Sequence, residues 1–133
     1  MKNTAMAIAC LTLAACGQEP AIESSIDEAV NEATPALAAD GGPSVGQYRA
    51  TDDSGMVLME ELRADGTYTF SGEGGVIIEE GRYDQKTPAQ LCFTANADDA
   101  VEKCYDEEVG EDGIWRTTDP DTGVIAVVER LED

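Results

Sequence analysis

Four cysteines and 28 Asp and Glu residues are the groups in this 133-residue chain that could do chemistry. Histidine is absent, which removes Ser-His-Asp and Cys-His catalysis, imidazole metal ligation and an imidazole-based switch near neutral pH. Cys92 and Cys104 lie symmetrically about Asp98. A hairpin turning there sets Cys92 opposite Cys104, Leu91 opposite Tyr105 and Phe93 opposite Lys103. In an oxidising compartment that geometry leads to a cross-strand disulfide. A redox-active pair is the alternative, but it lacks the Cys-x-x-Cys spacing and a helix N-terminus to lower a thiol pKa. The expected bridge is structural.

Other candidate constellations are weaker. Asp119-Pro120-Asp121-Thr122-Gly123 opens like a calcium loop, yet an EF-hand needs a ligand at its fifth position, Gly at the sixth and Glu at the twelfth. Gly123, Val124 and Arg130 stand there instead, so the segment reads as a hairpin turn. The run Asp106-Glu107-Glu108, with Glu111, Asp112, Asp98 and Asp99, has no ligand spacing and reads as solvated acidic loop. Paired carboxylates serve in glycoside hydrolysis, but among so many carboxylates nothing singles out one pair. Gly72–Gly75 has neither the Lys nor the following helix of a phosphate loop. The expectation is therefore no catalytic residue, no metal ligand and no cofactor-binding residue, in a protein that is not an enzyme.

The N-terminus reads as an address. Lys2 precedes an apolar run from Ala5 to Ala15, interrupted only by Thr12. The run is shorter than the roughly 20 residues of a membrane-spanning helix and has the design of a secretory signal. Its exit, Leu13-Ala14-Ala15-Cys16-Gly17, resembles the lipobox of bacterial lipoproteins. The resemblance implies cleavage after residue 15, diacylglyceryl modification of the Cys16 thiol and acylation of the new amino group. Two or more acyl chains anchor a protein stably where one is marginal. Gly17-Gln18 lacks the Asp that resembles an inner-membrane retention signal in enterobacterial lipoproteins. The resemblance thus implies the cell envelope, at the outer membrane facing the periplasm. Cys10 falls in the removed segment.

Residues 16–44 are expected to form a lipid-anchored, flexible, acidic linker. From Gly17 to Ser44 there is no aromatic residue, and such a stretch buries too little apolar area to offset its ordering entropy. Ile22, Ile26 and Val30 recur every four residues and Ser25 with Glu28 fits a capping box, so a short helix can form before Pro35. Alone in water it is marginal, and a spacer is the preferred reading over a docking helix.

From residue 45 to 133 turn signals recur every 8–12 residues between runs rich in Val, Ile, Thr and Tyr. Strands are predicted near 46–51, 56–63, 67–71, 76–84, 90–95, 101–106, 113–118 and 124–131. The predicted class is all-β, an antiparallel meander of about eight strands closing into a barrel or barrel-like sandwich. Trp115 and the tyrosines fall at core positions of these strands. Val124-Ile125-Ala126-Val127-Val128 is apolar on both faces, and the expectation is a strand covered on both sides, with an exposed binding surface as the alternative. Gly46-Gln47-Tyr48, Leu62-Arg63-Ala64-Asp65-Gly66-Thr67-Tyr68-Thr69-Phe70, Glu80-Gly81-Arg82-Tyr83 and Leu91-Cys92-Phe93 together resemble small lipocalin-like β domains of bacterial exported proteins. That resemblance implies a barrel and names no ligand.

Eight Lys and Arg against 28 acids give a net charge of −20, which excludes nucleic-acid binding through a basic patch and steers cations inward. The functional expectation is non-catalytic binding of a small ligand or protein partner, with the membrane as the anchoring partner. The alternative is an envelope structural or assembly accessory.

Overall fold

The structure, a computed structural model, describes residues 34–132. The expected signal peptide, the lipidation site Cys16 and the helix considered around 22–30 lie outside the described residues. Eight strands follow one another: β1 (Gly46–Asp52), β2 (Val57–Leu62), β3 (Thr67–Ser71), β4 (Ile77–Thr87), β5 (Gln90–Ala95), β6 (Lys103–Val109), β7 (Trp115–Thr118) and β8 (Ile125–Leu131). Each pairs antiparallel with the next, and β8 returns to pair with β1, closing the meander into a barrel. The fold class is as the sequence predicts. The largest boundary differences are β4, which continues to Thr87, and β6, which continues to Val109.

Turn chemistry sets the hairpins. In Arg63-Ala64-Asp65-Gly66, the Gly66 N–H donates to the Arg63 carbonyl at 3.0 Å with φ at 86°, a conformation that glycine adopts without steric cost. Asp65 Oδ1 accepts from the Thr67 N–H at 3.0 Å and from Thr67 Oγ1 at 2.6 Å, which locks the entry to β3. The same backbone bond closes Asp52–Gly55, Gly72–Gly75 and Gly110–Gly113.

Strand alternation turns Tyr48, Leu62, Tyr68, Phe70, Leu91, Phe93 and Trp115 inward, all buried. An eight-strand barrel is just wide enough for side chains to fill it, and aromatic rings do most of the filling. Tyr68 packs on Phe70 and on Phe93 with ring centroids 4.7 Å apart, Phe70 on Phe93 at 4.9 Å, and Tyr48 on Trp115 at 5.4 Å. Such pairs add about 0.5–1.5 kcal/mol each beyond their buried area. Cys92 and Cys104 stand opposite each other and are disulfide-bonded, with Leu91 opposite Tyr105 and Phe93 opposite Lys103, the register that symmetry about Asp98 predicts. Closing a loop of this length contributes about 3 kcal/mol in the chain-entropy view.

Two expectations change. The covered strand predicted at Val124–Val128 is not covered: Val128 packs against the core, while Val124, Ile125 and Val127 are exposed on the outside. The physical reason is that a single closed barrel has no second layer to lie over an outer face. The folded unit also starts at Pro35, ten residues before the expected boundary at 45. Leu37 bridges to Pro43, Ser44 N–H donates to the Ala36 carbonyl at 2.9 Å, and Ala38 is 2% exposed against the barrel core. This small hairpin plugs one end of the barrel. Arg130 of β8 clasps it, donating from Nε and an Nη to the two Asp40 carboxylate oxygens at 2.7 Å each and to the Pro43 carbonyl at 2.9 Å. The guanidinium lies 5.0 Å over the Tyr48 ring.

Gly81 of β4 lies against the backbone of β5. A Cβ there would run into the Thr94 carbonyl oxygen and come within 2.8 Å of the Ala95 Cα, both backbone atoms of β5. Gly81→Ala is expected to lower stability by about 1–3 kcal/mol. Gly74→Ala, with open space around its Cβ, is expected to stay within about 0.5 kcal/mol of the parent. Urea denaturation of the two variants checks the contrast, and equal losses would show that the β4–β5 approach is not tight.

Candidate functional site

The turns at 53–56, 72–76, 96–102 and 119–124 lie at the end of the barrel opposite the plug, as the alternating strand directions require. They, with the first residues of β4 and β8, carry the exposed residues Met56, Val76, Ile77, Val101, Val124 and Ile125. Next to Val101 is a recess of about 250 Å³, lined also by Leu58, Phe70, Ile78, Glu79, Phe93, Ala95, Lys103 and Tyr105. Its floor is the aromatic cluster, with Phe93 and Tyr105 edge to face at 5.7 Å. Each ring is placed by pleat alternation: Phe70 from β3, Phe93 from β5, Tyr105 from β6.

Two charged groups flank the floor. Glu79 Oε1 accepts from the Tyr68 hydroxyl at 2.6 Å, and burial, with that bond, raises the Tyr68 pKa above the ordinary phenol range. Lys103 Nζ bonds Asp119 Oδ2 at 2.9 Å, pairs with Asp121 at 3.3 Å and sits 5.1 Å from the Tyr105 ring centroid. Burial disfavours its charge, but hydrogen bonding to Asp119, Tyr105 and Asp121 outweighs that and raises its pKa. The lysine is thus neutralised by two carboxylates, and Glu79 leaves the mouth net acidic.

A second polar cluster lies deeper, beside the plug. Glu60, Gln85, Glu107 and Trp115 line a cavity of about 10 Å³ closed by Ala38. Burial pushes the Glu60 carboxyl up to about 8, with the Glu107 charge adding to it. Burial likewise pushes Glu107 up to about 7, against the pull of Gln85. In the sequence Glu107 falls within a run that reads as solvated acidic loop, and nothing there singles out Glu60. Strand alternation holds the missing signal, since Leu58-x-Glu60-x-Leu62 and Tyr105-x-Glu107-x-Val109 each put the acid on the inward face.

The other sequence candidates fall apart or turn structural. Asp119 Oδ1 accepts from the Asp121 and Thr122 N–H groups at 2.8 and 3.1 Å, as a hairpin turn requires. Asp98 and Asp99 sit before β6 and Glu111 and Asp112 after it, so the acidic run is split between opposite ends of the barrel. Cys92 and Cys104 approach Glu102, but the disulfide leaves no thiolate to ligate a metal. The chain matches no protein-family model, no curated protein and no solved structure. Its function is argued from the geometry.

The two inward acids, Glu107 buried and Glu60 half-buried, set a pH dependence. Glu60 and Glu107 hold protons in the folded state up to about 8 and about 7, whereas unfolded glutamates release them near 4.5. The folded state therefore binds more protons in that window, and stability falls as pH rises through it. Asp40 and Asp112, held below the ordinary range by their bonds to Arg130 and Arg116, lose stabilising partners as pH falls below about 4. Urea midpoints from pH 3 to 9 are expected to peak between these limits, and Glu60→Gln is expected to flatten the alkaline side. An unchanged slope in that variant would remove Glu60 from the account and assign the decline to Glu107 and surface repulsion.

Proposed function

We propose that this protein is a lipid-anchored envelope protein whose barrel binds a small amphiphilic ligand, without catalysis, in the recess opposite the plug. The observation that carries the reading is a recess whose floor is the aromatic cluster of Phe70, Phe93 and Tyr105, with Leu58, Ile78 and Val101 completing its apolar lining. Ligand sites combine such apolar walls with a few placed polar groups, here Glu79 and the paired Lys103. At about 250 Å³ the recess suits a molecule below drug size. The net charge of −20 and the Glu79 carboxylate favour a cationic head group over an anionic one, and aromatic rings bind such cations on their faces. The lipobox-like Leu13-Ala14-Ala15-Cys16 supports an anchor at Cys16 in the outer membrane, facing the periplasm.

A second reading, an accessory that docks a protein partner, is favoured by one observation: the outer face of β8. There Val124, Ile125 and Val127 edge a groove of about 470 Å³ beside Asp52 and Asp53.

Chemical-shift titration with hexyltrimethylammonium and with hexanoate separates these readings. Saturable shifts at Phe70, Phe93 and Tyr105 are expected for the cation, at least tenfold tighter than for the anion and weaker at high salt. Absence of saturation by either compound would turn weight to the partner reading. Intact mass of protein extracted from its own membranes tests the anchor, with an acylated chain beginning at Cys16 as the expected mass and an unmodified chain as the contrary one.

A further inference from the structure

The cavity beneath the plug has a hydrogen-bonding pattern that its own side chains do not complete. Gln85 Oε1, Glu107 Oε2 and Trp115 Nε1 are buried without a protein partner, and all three residues line the same cavity of about 10 Å³. Gln85, Glu107 and Trp115 are 9%, 6% and 7% exposed, so bulk solvent does not serve these atoms. Leaving each unpaired would cost about 1–3 kcal/mol, a large penalty for a domain of this size. Two nearby donors are engaged elsewhere: Gln85 Nε2 donates to the Thr87 carbonyl at 2.8 Å, and the Tyr48 hydroxyl donates to the Ser44 carbonyl at 2.7 Å.

We infer that the plugged half of the barrel binds one internal water molecule, which accepts from Trp115 Nε1–H and donates to Gln85 Oε1 and Glu107 Oε2. The volume is that of a single water, and a buried water makes about three such bonds. The chemistry of the set selects water over a metal cation. Carboxylates and an amide oxygen would suit a cation, but the indole N–H is a donor only and would point its positive end at the ion. Water has two donors and two acceptor lone pairs, so it also serves Glu107 when that carboxyl is protonated and donates instead. Ala38, itself 2% exposed, lines the cavity on the plug side, which slows the escape of the water.

Trp115 is the sole tryptophan of the chain, so its indole N–H gives one resonance. In water-selective NOE and ROE spectra of the 15N-labelled protein, that resonance is expected to show a cross-peak to water of opposite sign in the two experiments, the mark of a bound water rather than proton exchange. Gln85→Met, which removes one acceptor at similar volume, is expected to weaken or abolish the cross-peak while the amide spectrum stays folded. A crystal structure should place a density peak within hydrogen-bonding distance of all three atoms. A missing cross-peak in the parent, or a cavity collapsed so that the indole bonds Glu107 directly, would overturn the inference. So would a saturable shift of the indole on replacing choline by sodium at constant ionic strength, which would assign the site to a cation.

Discussion

Six residue pairs, from Gln47 with Leu131 to Asp52 with Ala126, join the last strand to the first. Without this seam an eight-strand meander presents two edges of unpaired N–H and C=O groups, and its inner face has nothing to close around. The seam brings together segments about eighty residues apart, so its loop-closure entropy must be offset by contacts made only once the ring is shut. Arg130 supplies several of them from β8. It holds Asp40 of the plug and the Tyr48 hydroxyl of β1 together, so one side chain ties the closing strand, the opening strand and the plug. The cross-strand pair Arg49 with Glu129 at 3.9 Å is exposed and adds little.

Closure also fixes the interior width, and the chain fills it with few large residues. Only seven aromatics occur in the sequence, and every one lies on a strand. The filling is uneven along the barrel axis. Toward the mouth, Phe70, Phe93 and Tyr105 stack into a floor; toward the plug, the same inward register carries Glu60, Gln85 and Glu107. Apolar residues of similar volume at those places would cost nothing in desolvation, and exchanging buried ionic groups for them is often stabilising. The acids persist there by holding protons rather than charge. The plugged half therefore carries the polar strain of the core, and the mouth half its apolar surface.

The strands are legible in the sequence because turn residues and period-two patterning are local signals, and the Cys92–Cys104 register follows from symmetry about one turn. Other features depend on distant partners. The plug reads as linker because it is mostly Ala, Gly and Pro; its order comes from Asp40 meeting a guanidinium ninety residues away and from Ala38 packing on the barrel core. The exposed outer face of β8 is a consequence of topology, since the same apolar run in a two-layer sandwich would be covered. Glu107 was hidden by its neighbours: Asp106 and Glu108 point outward, and a run of three acids looks uniformly solvated until strand alternation divides it. The mouth recess was not legible as a site at all, because its aromatics are indistinguishable by sequence from ordinary core.

The two ends of the barrel differ in a way that bears on how a ligand would be selected. Arg49, Arg63, Lys86, Lys103, Arg116 and Arg130 each pair with a carboxylate, so the excess acids are left to set the field over the surface. That field acts on anything approaching the mouth before contact is made, and within the recess the aromatic floor adds dispersion and ring-face electrostatics beside the Glu79 carboxylate. For the proposed ligand, selection would divide in two steps: the surface field would exclude anions over about a Debye length, and the floor would then discriminate by shape and apolar area. Salt would weaken the first step and leave the second largely intact, so a ligand held mainly by the rings keeps its affinity where one held mainly by the field loses it.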